Sequence, residues 1–258
     1  MTHPRTEPVF RGVGVALITL FTEEGDVDAN ATARHATRLA GFGVQAIVVA
    51  GTTGEAATLD RDDRVRLIDA VRAAVPAGTP VIAGTGAPSA RQAALLTNDA
   101  VTHGADAVLT LSPSRTADAR SYYDTVRSAA QTTPLLAYHF PAVSPPGIDV
   151  DQLHELPVDG LKDSSGDPDR LLAELEAFDQ PLYVGSSALL SLAGPLGCTG
   201  AILALANVEP ELCIAAFNGD ARAQRELAPA HLAANARFPA GLKELVAKRF
   251  ATSPATRL

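Results

Sequence analysis

Of the 21 Lys and Arg residues in the chain, only Lys162, Lys243 and Lys248 are lysines. The chain otherwise uses arginine for positive charge, so an amine at Lys162, behind Val158 and Leu161 in D-G-L-K-D-S-S-G-D (159–167), calls for a chemical reason. An amine can lose its proton and attack a carbonyl carbon, whereas a guanidinium in practice stays charged. Apolar surroundings disfavour the ammonium form and so favour the nucleophile. Such an amine condenses with a ketone or aldehyde to a Schiff base. The iminium then acts as an electron sink for making or breaking a bond two atoms from nitrogen. Each step moves protons, and a phenol at Tyr138 suits that task. A 2-keto acid also brings a carboxylate. G-T-T-G-E (51–55), a glycine-bounded turn leading into a helix, offers the N–H groups and hydroxyls of Thr52 and Thr53 to hold it.

Each group alone has a plainer reading. A lysine ending a strand is usually a solvated charge, a tyrosine usually packs, and a Gly-Thr-Thr turn can simply cap a helix. Their common placement outweighs those readings. Eight short apolar runs alternate with helical patterns between Gly14 and Leu205: 15–21, 44–51, 80–84, 105–111, 134–138, 159–163, 181–185 and 200–206. They are apolar on both faces, as buried parallel strands are. Between them, Val65, Ile68, Val71 and Val75 recur at helical spacing before Pro76, and Asp167-Pro168 reads as an N-cap with proline in the first turn. Eight strand–helix repeats predict an α/β fold, a (β/α)8 TIM barrel over 1–219 with a C-terminal helical extension over 220–258, its helices around 221–235 and 240–250. Catalytic groups of such barrels stand at the C-terminal ends of strands. The turn of Thr52 and Thr53 follows the second strand, Tyr138 closes the fifth and Lys162 the sixth.

The composition narrows the alternatives. Hydrophobic residues make up 47% and charged residues 19%, enough for a large core, and a net charge of −8 without a basic run argues against nucleic-acid binding. Two cysteines without a Cys-x-x-Cys pair, six histidines without ligand spacing, and no apolar leader or membrane-length segment predict a cytoplasmic protein that needs no metal and does not enter membranes. A-G-T-G-A-P (83–88) lacks the third glycine of a dinucleotide loop and reads as a turn. His139, beside Tyr138, is available to contact substrate, although a packing or supporting role suits it better; Glu55 could anchor the threonine turn.

In order and spacing, G-T-T-G-E (51–55), Y-H-F-P (138–141), G-L-K-D-S-S-G (160–166) and G-C-T-G-A-I-L-A-L-A-N-V (197–208) resemble the dihydrodipicolinate synthase and N-acetylneuraminate lyase family of class I aldolases. The resemblance spans the chain from about Gly12. It implies a Schiff base at Lys162, a proton relay at Tyr138, a pyruvate carboxylate on Thr52 and Thr53, and Ile202 lining the pyruvate pocket. It also implies no organic cofactor and a homo-oligomer, tetramer or dimer. Pyruvate or another small 2-keto acid would be one partner and an aldehyde the other. Val143 stands where the dihydrodipicolinate synthases carry an arginine for a substrate carboxylate, and Ser114 and Arg115 stand near their tyrosine pair. Gly185, Ser186, Ser187 and Ala188 replace the acidic residues of the sialic-acid lyases. What remains resembles aldolases of 2-keto-3-deoxy sugar acids, with Gly185, Ser186, Ser187 and His139 facing a hydroxylated aldehyde. The rivals are 4-hydroxy-tetrahydrodipicolinate synthase, 4-hydroxy-2-oxoglutarate aldolase, a sugar-acid dehydratase, and a non-catalytic keto-acid-binding protein.

Overall fold

A computed structural model describes residues 6–114 and 118–258. In it the apolar runs pair as parallel strands in sequence order and close on themselves. They are β1 (Gly12–Ala16), β2 (Ala46–Val49), β3 (Val81–Gly84), β4 (Ala107–Leu111), β5 (Leu135–His139), β6 (Gly160–Asp163), β7 (Leu182–Val184) and β8 (Gly200–Leu203). This is the (β/α)8 barrel. The first strand lies earlier than its apolar run suggests: Leu17–Phe21 are buried but lie beyond its end, with Leu17, Ile18 and Leu20 in the core shared with the helices.

Helices α1 (Ala29–Gly41), α2 (Arg61–Ala74), α3 (Ala90–Thr102) and α4 (Ala119–Ala130) follow the first four strands. After β6 come α5 (Pro168–Ala177), the short α6 (Leu190–Ala193) and α7 (Pro210–Phe217). Several begin on a side chain that captures an otherwise unused amide: Asp28 accepts from Ala31, Asp60 from Asp63, Ser89 from Gln92, and Asp167 from Asp169 and Arg170. The fifth crossover departs from the eightfold repeat. Its 140–159 stretch contains Pro141, Pro145, Pro146 and Pro157, and it forms only a 3₁₀ segment at Val150–Glu155, because proline removes the N–H that a longer helix needs. In α2 the buried face is Arg64, Leu67, Ile68 and Val71, and Val65 is only half-buried.

Beyond the barrel stand α8 (Ala221–Glu226), α9 (Ala228–Ala236) and α10 (Ala240–Phe250), then an irregular segment, 251–258. The helix expected over 221–235 is two helices, broken at Leu227 because Pro229 fits only in a first turn.

Strand side chains alternate between two cores. Ala46, Val48, Ile82, Leu109, Leu136, Tyr138, Tyr183 and Ile202 fill the barrel, while Ile47, Val49, Ala137, Leu161 and Leu203 meet the helices. Phe10 stacks on Tyr183 at 4.7 Å between ring centroids, and its carbonyl accepts the Tyr183 hydroxyl, which closes the N-terminal end. The C-terminal end stays open. Among the described residues no helix is long and apolar enough to cross a membrane.

Candidate active site

The strand register places Tyr138 directly beside Lys162, and both side chains point inward. Lys162 is 4% exposed and Tyr138 5%. The amine nitrogen stands 4.1 Å from the centroid of the Tyr138 ring, and that ring stacks on Phe140 at 5.9 Å. Among the described residues no carboxylate lies within ion-pairing reach of Lys162. The adjacent Asp163 faces the other way, since neighbours on a strand point to opposite sides. It accepts from the Ser165 amide and hydroxyl, and burial raises its carboxyl despite those bonds. The amine thus rests on an aromatic face at the base of a cleft of about 190 Å³.

Gly185 makes room for it. A Cβ there would lie 3.0 Å from the Lys162 Cε and 1.8 Å from the Ser164 hydroxyl oxygen, so this position at the end of β7 admits no side chain. Ile202, from β8, is fully buried in the barrel and lines the cleft floor.

Thr52 and Thr53 line the opposite wall. Gly51–Gly54 closes as a 3₁₀ turn in which the amides of Gly54 and Glu55 bond back to Gly51 and Thr52. The amides of Thr52 and Thr53 fall outside those bonds, as the first N–H groups of any helical turn do. Ala50 and Glu55, both non-glycine, adopt positive φ of 52° and 59° on either side, a conformation that surrounding contacts must enforce. Thr19 contributes by donating to the Gly54 carbonyl at 2.7 Å, and the buried Arg64 donates to the carbonyls of Ala56 and Gly84.

The structure brings Lys162, Tyr138, Thr52, Thr53, Gly185, Ser186, Ser187 and Ile202 to one cleft. It does not bring His139 there. With Tyr138 pointing inward, His139 points out of the barrel, where its Nδ1 accepts from the Ile148 amide at 2.9 Å and burial lowers its pKa to about 4. Its contact with substrate is therefore replaced by a packing role behind β5. Val143 is 49% exposed and stands outside the cleft lining. Ser114 is exposed and donates to the Pro145 carbonyl at 3.4 Å, and Arg115 lies outside the described residues.

The outer wall comes from α9 and was not legible in the sequence. His231, Ala234 and Asn235 of α9, with Phe238 just beyond it, line the cleft. The Ser187 hydroxyl and His231 Nδ1 lie 2.8 Å apart, and burial lowers the imidazole's pKa. From α8, Gln224 donates to the Ser187 carbonyl and accepts from the Ser191 amide, tying the turn after β7 to the C-terminal helices. No motif marks His231; only its helical position relative to a turn 44 residues earlier gives it a role. Among the described residues, Lys162 is the one Lys, Arg, Asp or Glu in the lining, and no group of His, Cys, Asp and Glu is arranged to hold a metal.

The model of the dihydrodipicolinate synthetase family matches residues 9–247. This chain belongs to that family. The 4-hydroxy-tetrahydrodipicolinate synthase of Pseudomonas aeruginosa is 36% identical over 229 residues, which cover 84% of this chain and 78% of that protein. Among solved structures, the chloride-inhibited dihydrodipicolinate synthase from Acinetobacter baumannii, complexed with pyruvate, superposes with a TM-score of 0.85 at 26% identity, covering 96% of this chain and 94% of the other. The structure of KD(P)GA from T. tenax does so with a TM-score of 0.86 at 27% identity, covering 95% and 90%. Enzymes of the dihydrodipicolinate synthetase family are pyruvate-dependent class I lyases, and this chain is one of them.

Proposed function

We propose that the enzyme makes or cleaves a carbon–carbon bond between pyruvate and an uncharged, hydroxylated aldehyde, with Lys162 as nucleophile and Tyr138 as proton carrier. The observation that carries this reading is the buried Lys162 amine, 4.1 Å from the Tyr138 ring and free of any described carboxylate partner. The neutral amine adds to C2 of pyruvate, and loss of water leaves an iminium. Removal of a C3 proton gives an enamine, whose C3 attacks the aldehyde carbon while the new alkoxide takes a proton. Water then releases the 4-hydroxy-2-keto acid and restores the amine; cleavage runs the same steps backwards. Tyr138 serves these proton transfers, a task that suits a positioned phenol. Thr52 and Thr53, whose amides lie outside the turn's own hydrogen bonds, hold the carboxylate with amides and hydroxyls.

The outer wall supports the choice of aldehyde. Ser186, Ser187, His231 and Asn235 offer hydroxyls, a neutral imidazole and an amide, and no described guanidinium stands among them. An aldehyde bearing its own carboxylate would forgo a charged hydrogen bond of about 1.5–3 kcal/mol, which Val143 cannot replace. Hydroxyl groups find donors and acceptors throughout.

Trapping tests the reading. Incubation with pyruvate and borohydride should add a reduced pyruvyl group to the peptide that contains Lys162, read by mass. An adduct elsewhere, or none, would reject it. Turnover on a panel of aldehydes plus pyruvate then tests the second substrate, with uncharged polyhydroxylated aldehydes expected to lead.

A further inference from the structure

Lys243 is fully buried beside the equally buried Glu55, far from bulk water, and the mechanism uses neither. Glu55 ends the G-T-T-G-E turn in the left-handed conformation and points away from the cleft. Its Oε1 pairs with the Lys243 ammonium from α10, while its Oε2 accepts the backbone amides of Arg257 at 2.7 Å and Leu258 at 3.0 Å. The same ammonium donates to the Ala255 carbonyl at 2.7 Å and stands 4.2 Å from the centroid of the Phe21 ring. Arg257 completes the cluster. Its guanidinium donates to the Gly25 and Thr58 carbonyls at 2.6 and 3.0 Å, pairs with Asp63 at 2.7 Å, and lies 4.8 Å from Phe21.

A buried ion pair is weak ground for stability, because desolvation offsets its attraction; its better-attested use is to select one arrangement over others. Here the arrangement selected is local. Glu55 is two residues beyond Thr53; one oxygen of its carboxylate is engaged by Lys243 of α10, and the other by the backbone of a segment about 200 residues later. We propose that Glu55, Lys243 and Arg257 are positioning residues that fix the Thr52–Thr53 turn and thereby set affinity for the pyruvate carboxylate. The inference rests on the reading of that turn as the carboxylate site. Segment 251–258 is then a brace for substrate binding, acting on a loop it reaches only in the folded protein.

Two variants test it: Arg257→Ala, which removes the guanidinium anchors and leaves the backbone amide, and Lys243→Met, which keeps much of the volume and removes the charge. Each is compared with wild type by the pyruvate concentration that half-saturates borohydride trapping, by the KM for aldehyde, and by kcat at saturating pyruvate. The expected result is a rise of about tenfold or more in the pyruvate requirement, since small misplacements of binding groups are costly, with kcat and the aldehyde KM within about twofold. A folded Arg257→Ala enzyme with an unchanged pyruvate requirement overturns the proposal, whether or not Lys243→Met folds. A parallel rise in both substrate requirements also overturns it, because that marks general loosening. If wild type itself forms no pyruvate adduct, the carboxylate-site reading fails and this inference fails with it; an intact wild-type adduct with unaltered variants rejects the brace alone.

Discussion

Tyr138 and Lys162 occupy matching positions on β5 and β6, and the amine of one stands 4.1 Å from the ring centroid of the other. Parallel pairing fixes this relation in the backbone, so neither side chain depends on a mobile loop for its place. The amine lies over the aromatic face, and among the described residues no carboxylate competes for it.

Lys162→Arg should abolish imine formation while the fold survives, since charge is retained and nucleophilicity is lost. Borohydride trapping should yield no adduct, and thermal unfolding should remain cooperative. Residual turnover at wild-type rate would place the nucleophile elsewhere.

Tyr138→Phe keeps the ring on which the amine rests and removes only the hydroxyl. Turnover should slow by roughly 10²–10⁴-fold, the range for a general acid–base group. A loss of less than about threefold on that scale would put the relay on another residue.

His231→Leu should weaken the hydroxylated aldehyde and leave pyruvate untouched. Losing one neutral hydrogen bond of about 0.5–1.5 kcal/mol should raise the aldehyde KM by a few-fold up to about tenfold. The half-saturation of pyruvate trapping serves as the internal reference, and a shift there instead would remove His231 from the aldehyde wall.

Acid should erode the contribution of the buried imidazoles. Burial lowers the pKa of His35 and of His139 to about 4 from 6.5. A folded value below the unfolded one means stability that is present above about pH 6.5 and lost as pH falls toward about 4, because the unfolded chain binds protons first. Arg170 reinforces the shift at His139, with Asp163 3.9 Å from the ring. Glu174, raised to about 8 mainly by burial, works in the opposite sense, so the informative quantity is a difference between proteins. In urea titrations, the stability gap between wild type and His139→Gln should narrow as pH falls from about 7 to about 4.5. A constant gap would contradict the neutral, buried imidazole.

Much of the barrel was legible in the residues because its signals are local. Apolar runs marked each strand to within a few residues, Asp167-Pro168 opened α5, and the scarcity of lysine singled out Lys162. The prolines of 140–159 could have revealed the missing fifth helix, and the two-residue alternation of strands could have turned His139 outward once Tyr138 faced in. No local pattern could have joined Ser187 to His231 or Glu55 to Lys243 and Arg257. The sequence by itself determined the strands, their order and the chemistry gathered at their ends, since hydrophobic period and residue type act over a few positions. Tertiary structure alone decided what walls the cleft and which distant residues contact the Gly51–Glu55 turn. Those contacts join segments up to 203 residues apart, and chain closure, not pattern, brings such segments together.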